Sequence, residues 1–67
     1  MNIISSYGQF GINYYVTKKG EFFIEQQGDT VALYNPNGKC IATEKIDFSL
    51  NGDINSAWDE LVSLIGL

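Results

Sequence analysis

Glu21 and Glu25 stand four residues apart in the stretch Glu21–Gln26, which is rich in aromatic and β-branched residues. On a strand that spacing puts both carboxylates on one face, with Cα atoms about 13 Å apart at a rise of about 3.3 Å per residue. Paired carboxylates hydrolyse glycosides, but only at the bottom of a sugar cleft. A chain of 67 residues has no second core with which to build one. The two acids therefore read as solvated charges flanking whatever else their face carries.

The remaining chemical candidates are weaker. Nucleophilic catalysis needs a base that titrates near neutrality, and the chain has no histidine. Cys40, the single cysteine, thus reads as a small packed residue, and an internal disulfide is excluded. The run Asp47-Phe48-Ser49-Leu50-Asn51-Gly52-Asp53-Ile54 follows the opening of a calcium-binding helix–loop–helix. Oxygen side chains fall at positions one, three and five, and glycine falls at six. The required bidentate glutamate at position twelve is Trp58, however, and the incoming segment alternates like a strand. Neither metal nor cofactor is expected, no glycine-rich phosphate loop occurs, and no catalytic residue is assigned.

Charge narrows the partners. Eight acids and four lysines give −4, with no arginine. Only Lys18 and Lys19 cluster, which is poor equipment for neutralising phosphates or reading bases. An acidic surface instead suits a basic protein. The sequence contains no apolar stretch long enough to span a bilayer and no signal peptide, so a cytoplasmic location and no membrane contact are expected.

The elements that must carry these residues are short. Alternation and turn residues predict strands over 12–17, 21–26, 30–34 and 39–43, a fifth over 46–50, and a helix over 54–65. Residues 1–11 read as an edge strand or a lead-in. The result is one α+β domain, an antiparallel β-meander packed against a C-terminal helix. In that helix Ile54, Ala57, Trp58, Leu61, Val62 and Ile65 form one stripe, with Asp53 as its N-cap.

Turn chemistry predicts the register. A three-residue Lys18-Lys19-Gly20 loop, a two-residue Gln27-Gly28 loop and a three-residue Pro36-Asn37-Gly38 loop place Ile12, Tyr14, Val16, Phe22, Ile24, Val31, Leu33 and Ile41 on one face. The other face then holds Tyr15, Phe23, Ala32, Tyr34, Cys40 and Ala42, fringed by Glu21 and Glu25. The parity change between Ile41 and Ile46 calls for a bulge near Glu44-Lys45.

A second apolar face that one helix cannot cover points to protein binding. The expected function is a small non-catalytic binding module, such as the regulators or inhibitors that phages encode. It would use Tyr15, Phe23, Tyr34, Glu21 and Glu25 to engage a basic, nucleic-acid-handling protein or a second copy of itself. The alternatives are a nucleic-acid-binding module using Lys18, Lys19 and the exposed aromatics, or a purely structural homodimer.

The Asn35-Pro36-Asn37-Gly38 turn requires φ > 0 at Gly38. Gly38→Val should therefore lower the melting temperature, because a β-branched residue resists that conformation. Unchanged thermal stability would refute the turn assignment.

Overall fold

Tight turns build the sheet, and their lengths decide which way every side chain points. The computed structural model describes residues 3–49 and 53–66. Among these, β1 (Ser5–Gln9), β2 (Ile12–Thr17), β3 (Gly20–Gln27), β4 (Thr30–Tyr34) and β5 (Cys40–Lys45) lie in sequence order, each antiparallel to the next. The helix α1 (Asp53–Gly66) follows. The fold is the expected α+β meander with one C-terminal helix. No helix among the described residues is long and apolar enough to cross a membrane.

β1 and β2 are joined by Phe10 and Gly11, with φ of 54° and 77°. Two positive φ values define the hairpin turn whose twist matches the strands. Gly11 adopts it freely, whereas a side chain there costs roughly 1–2 kcal/mol, and Phe10 carries one. Phenylalanine is not a turn residue, so the alternative of an edge strand over residues 1–11 could not be decided from residue types alone.

The β2–β3 turn departs from expectation. Its loop is two residues, Lys18-Lys19, and Thr17 faces Gly20. The buried Thr17 hydroxyl closes it. Its Oγ1 accepts the Lys19 N–H at 3.1 Å and donates to the Gly20 carbonyl at 2.9 Å. Gly20 has φ of +127°, and a Cβ there would stand 2.8 Å from both Cβ and Cγ of Pro36. Losing one residue from the loop flips all of β2. Asn13, Tyr15 and Thr17 turn toward the helix side, and Ile12, Tyr14 and Val16 turn away, the reverse of the predicted faces.

The β3–β4 turn is Gly28-Asp29 instead of Gln27-Gly28, so Ile24 faces Leu33 and Gln26 faces Val31. This shift is even, and the apolar set Phe22, Ile24, Val31 and Leu33 stays together. The next turn forms as expected. The Gly38 N–H reaches the Asn35 carbonyl at 2.8 Å, Gly38 has φ of 88°, and Tyr34 faces Cys40. Asn35 Oδ1 also accepts the N–H groups of Asn37 and Lys39.

Immediately beyond, Leu33 pairs with Ala42, and Ile41 is the extra residue of a bulge. The anticipated parity change thus occurs at Ile41, not at Glu44-Lys45. Ile41 is half-exposed instead of core, and Ala42 packs against the core instead of the opposite face. Cys40, expected to be packed, is exposed.

The predicted strand over 46–50 does not form among its described residues. Ile46 is buried, and its N–H meets the Asp29 carbonyl at 2.6 Å. After it, Asp47 Oδ1 accepts both the N–H and the hydroxyl of Ser49, and the Asp47 N–H donates to Asp53 Oδ2. Such local side-chain bonds draw the backbone away from a ladder. Asp53 is the first residue of α1. Leu50, Asn51 and Gly52, the rest of the calcium-loop resemblance, lie outside the described residues.

The helix stripe buries Ala57, Leu61 and Ile65 against Ile24, Val31, Leu33 and Ile46, with Ile54, Trp58 and Val62 at the margin. Each leucine, isoleucine or valine among them contributes about 1.5–3 kcal/mol when fully removed from water. The helix lies over β3, β4 and β5. β2 is tied to it through Trp58 Nε1, which donates to the Tyr15 hydroxyl at 2.8 Å. β1 lies beyond, with all five residues exposed.

Gly20→Ala should cost about 1–3 kcal/mol in urea unfolding, from backbone strain plus the clash with Pro36. Gly28→Ala has positive φ too but open space around it, so it should cost less. Equal losses would show that the Gly20–Pro36 approach contributes nothing.

Candidate functional site

The sheet face turned away from the helix carries four aromatic side chains in a row. Tyr7, Tyr14, Phe23 and Tyr34 occupy directly opposed positions on β1, β2, β3 and β4. Their ring centroids are 4.9, 5.8 and 4.8 Å apart in turn, with interplanar angles of 15°, 44° and 13°. Neighbouring strands are about 4.8 Å apart, so directly opposed rings are brought to stacking distance by the register itself. Near-parallel rings this close overlap face to face. Tyr14 and Phe23, between the two stacked pairs, are tilted to one another.

Two acids fringe the row. The Tyr7 hydroxyl donates to Glu21 Oε2 at 2.8 Å. At the far end Gln27 Nε2 bridges Glu25 Oε1, at 2.9 Å, and the Tyr34 hydroxyl, at 2.8 Å. Both terminal phenols are thus tethered to the rim. The hydrogen bond to Glu21, then partial desolvation and the carboxylate's charge, raise the Tyr7 phenol above its ordinary value near 10.

The structure brings together four of the five residues singled out from the sequence: Phe23, Tyr34, Glu21 and Glu25 share this face. Tyr15 does not. The shortened β2–β3 loop turns it to the helix side, where its hydroxyl satisfies the Trp58 indole. Tyr14 takes its place in the row. Tyr7 lies in the segment 1–11, which the sequence reads as an edge strand or a lead-in, and no residue type there singles it out. Lys18 and Lys19 form the exposed β2–β3 loop. Comparison with protein families, curated proteins and solved structures finds no match to this chain.

Because the raised pKa reflects a neutral phenol held by Glu21, its contribution to stability is present below pH 10. That contribution is lost as pH rises through the folded-state value. Glu21→Gln should bring the Tyr7 titration, followed by its Cζ chemical shift, back toward 10. A titration that does not move would show that the Tyr7–Glu21 bond does not form in solution.

Proposed function

We propose that the protein is a small non-catalytic binding module, acting as a regulator or inhibitor, that engages a basic protein through the aromatic face and its acidic rim. The observation that carries this reading is the row Tyr7, Tyr14, Phe23 and Tyr34 on the face the helix leaves uncovered. Half-buried aromatics ringed by charge are the usual anchors of protein interfaces. Glu21 and Glu25 supply carboxylates for lysine or arginine on the partner, and the net charge of −4 favours encounter with a basic surface. A nucleic-acid-handling protein is a natural source of such a surface.

The ring geometry favours a protein over a nucleic acid. Base stacking needs exposed ring faces, and here one face of Tyr14 is stacked on Tyr7 and one face of Phe23 on Tyr34.

The test is retention of basic proteins on the immobilised chain at low salt, compared with Glu21→Gln/Glu25→Gln. The double variant should keep its circular dichroism spectrum and lose the retained protein. Retention that survives it, or salt-dependent binding of single-stranded oligonucleotides by the wild type, would overturn this reading.

A further inference from the structure

Among the described residues, β1 is an open sheet edge without the devices that usually keep edges apart. Its sequence, Ser5-Ser6-Tyr7-Gly8-Gln9, has no charge and no proline, and its register with β2 is unbroken from Ser5 to Gln9; the alternation ends just before it, where the Ile4 N–H donates to the Val16 carbonyl at 2.7 Å. The other edge, β5, has a bulge together with Glu44 and Lys45. Gln9 and Ile12 close a two-residue hairpin and so form a hydrogen-bonded pair. Alternation from there directs Tyr7 toward β2 and turns the N–H and C=O of Ser6 and Gly8 to the open side.

The exposed apolar residues of this hairpin are spaced symmetrically. Ile4, Tyr7 and Phe10 are 64%, 44% and 91% exposed, and Ile4 and Phe10 stand equally far along the sequence from Tyr7, each just beyond an end of β1. Phe10 holds its position in a left-handed conformation that glycine or asparagine would adopt with less strain. Tyr7 stacks one ring face on Tyr14 and is the end of the aromatic row nearest the open edge.

We propose that β1 pairs antiparallel with β1 of a second copy, about a two-fold axis through Tyr7. In this register Ser6 of one copy exchanges both backbone bonds with the partner's Gly8, and Gly8 does the same with the partner's Ser6. The outward-facing groups therefore match without remainder. Tyr7 meets the partner's Tyr7 as a non-hydrogen-bonded pair, with Cα atoms about 4.5 Å apart. Ile4 comes beside the partner's Phe10. The two sheets become one, and the aromatic row runs through both copies. The two Glu21 carboxylates fall at opposite ends of the β1 pair, so the acids of one copy do not face those of the other. The pairing uses an edge and leaves the aromatic face open, so it stands or fails independently of the partner proposed above.

An interface of this size lies at the weak end, so solution mass is measured by light scattering from about 10 μM to about 1 mM. The expected mass rises from 7.5 kDa toward twice that value. Added salt should not weaken the dimer, because no ion pair holds the edge and screening only reduces the repulsion between two acidic chains. Ser6→Pro removes an N–H that points away from β2 and should weaken the dimer at least tenfold with the fold intact. Phe10→Gly should weaken it too while raising the melting temperature measured at a concentration where the chain is monomeric, two opposite shifts that a merely structural Phe10 would not produce. A wild type of 7.5 kDa throughout the range, or a dimer untouched by Phe10→Gly, would overturn the proposal, and the Phe10→Gly result decides it if Ser6→Pro unfolds.

Discussion

The Thr17 hydroxyl, bonded across a two-residue loop to Gly20 and Lys19, is the constraint on which the faces of this sheet depend. With the loop closed at two residues, β2 presents Tyr14 outward and Tyr15 inward. A third residue in that loop would exchange them. The aromatic row would lose its second member, and the Trp58 indole would lose the hydroxyl that satisfies it. Gly20 makes the tight closure sterically possible, since its missing side chain is the space that Pro36 of the β4–β5 turn occupies. Two turns on separate hairpins are thereby packed together, which ties the register of β2–β3 to the position of β4–β5.

A single helix of 14 residues, about 21 Å long, covers only part of a five-stranded sheet. It lies over β3 to β5, where the bulge at Ile41 brings Ala42 to its side and Ile46 continues that run into the core. The molecule is elongated as a result, 37 Å in its longest dimension against 20 and 19 Å. The β1–β2 hairpin extends past the helix and shares no apolar core with it beyond the margin at Ile3 and Tyr15.

The aromatic row supplies on the outer face some of what the helix supplies on the inner one. Each ring shields a neighbour, so the face is apolar without a partner layer, and Ala32 beneath is buried. The same arrangement leaves two tethered phenols and two carboxylates at its rim. A face held rigid by stacking and by hydrogen bonds to Glu21 and Gln27 loses little side-chain freedom on binding, which is the physical reason it suits recognition.

The class of fold, the helix stripe from Ile54 to Ile65 and the Asn35–Gly38 turn were legible in the sequence, because each rests on local chemistry: helical spacing, alternation, and the φ preferences of proline and glycine. So were Phe23, Tyr34, Glu21 and Glu25 as residues of one face, since the even shift at Gly28-Asp29 preserved their parity. Tyr14 and Tyr7 were not. Both tyrosines at 14 and 15 fit either face by type, and only the buried Thr17 hydroxyl and the approach of Pro36 to Gly20 select between a two-residue and a three-residue loop. Those contacts join residues distant in sequence or hidden from solvent. The bulge at Ile41 likewise rests on pairing across strands, whereas the strand after Ile46 is lost to local bonds of Asp47 with Ser49. Alternation announces that parity must change, but its place is set in the fold, where Leu33 pairs with Ala42 and Ala42 packs against the core.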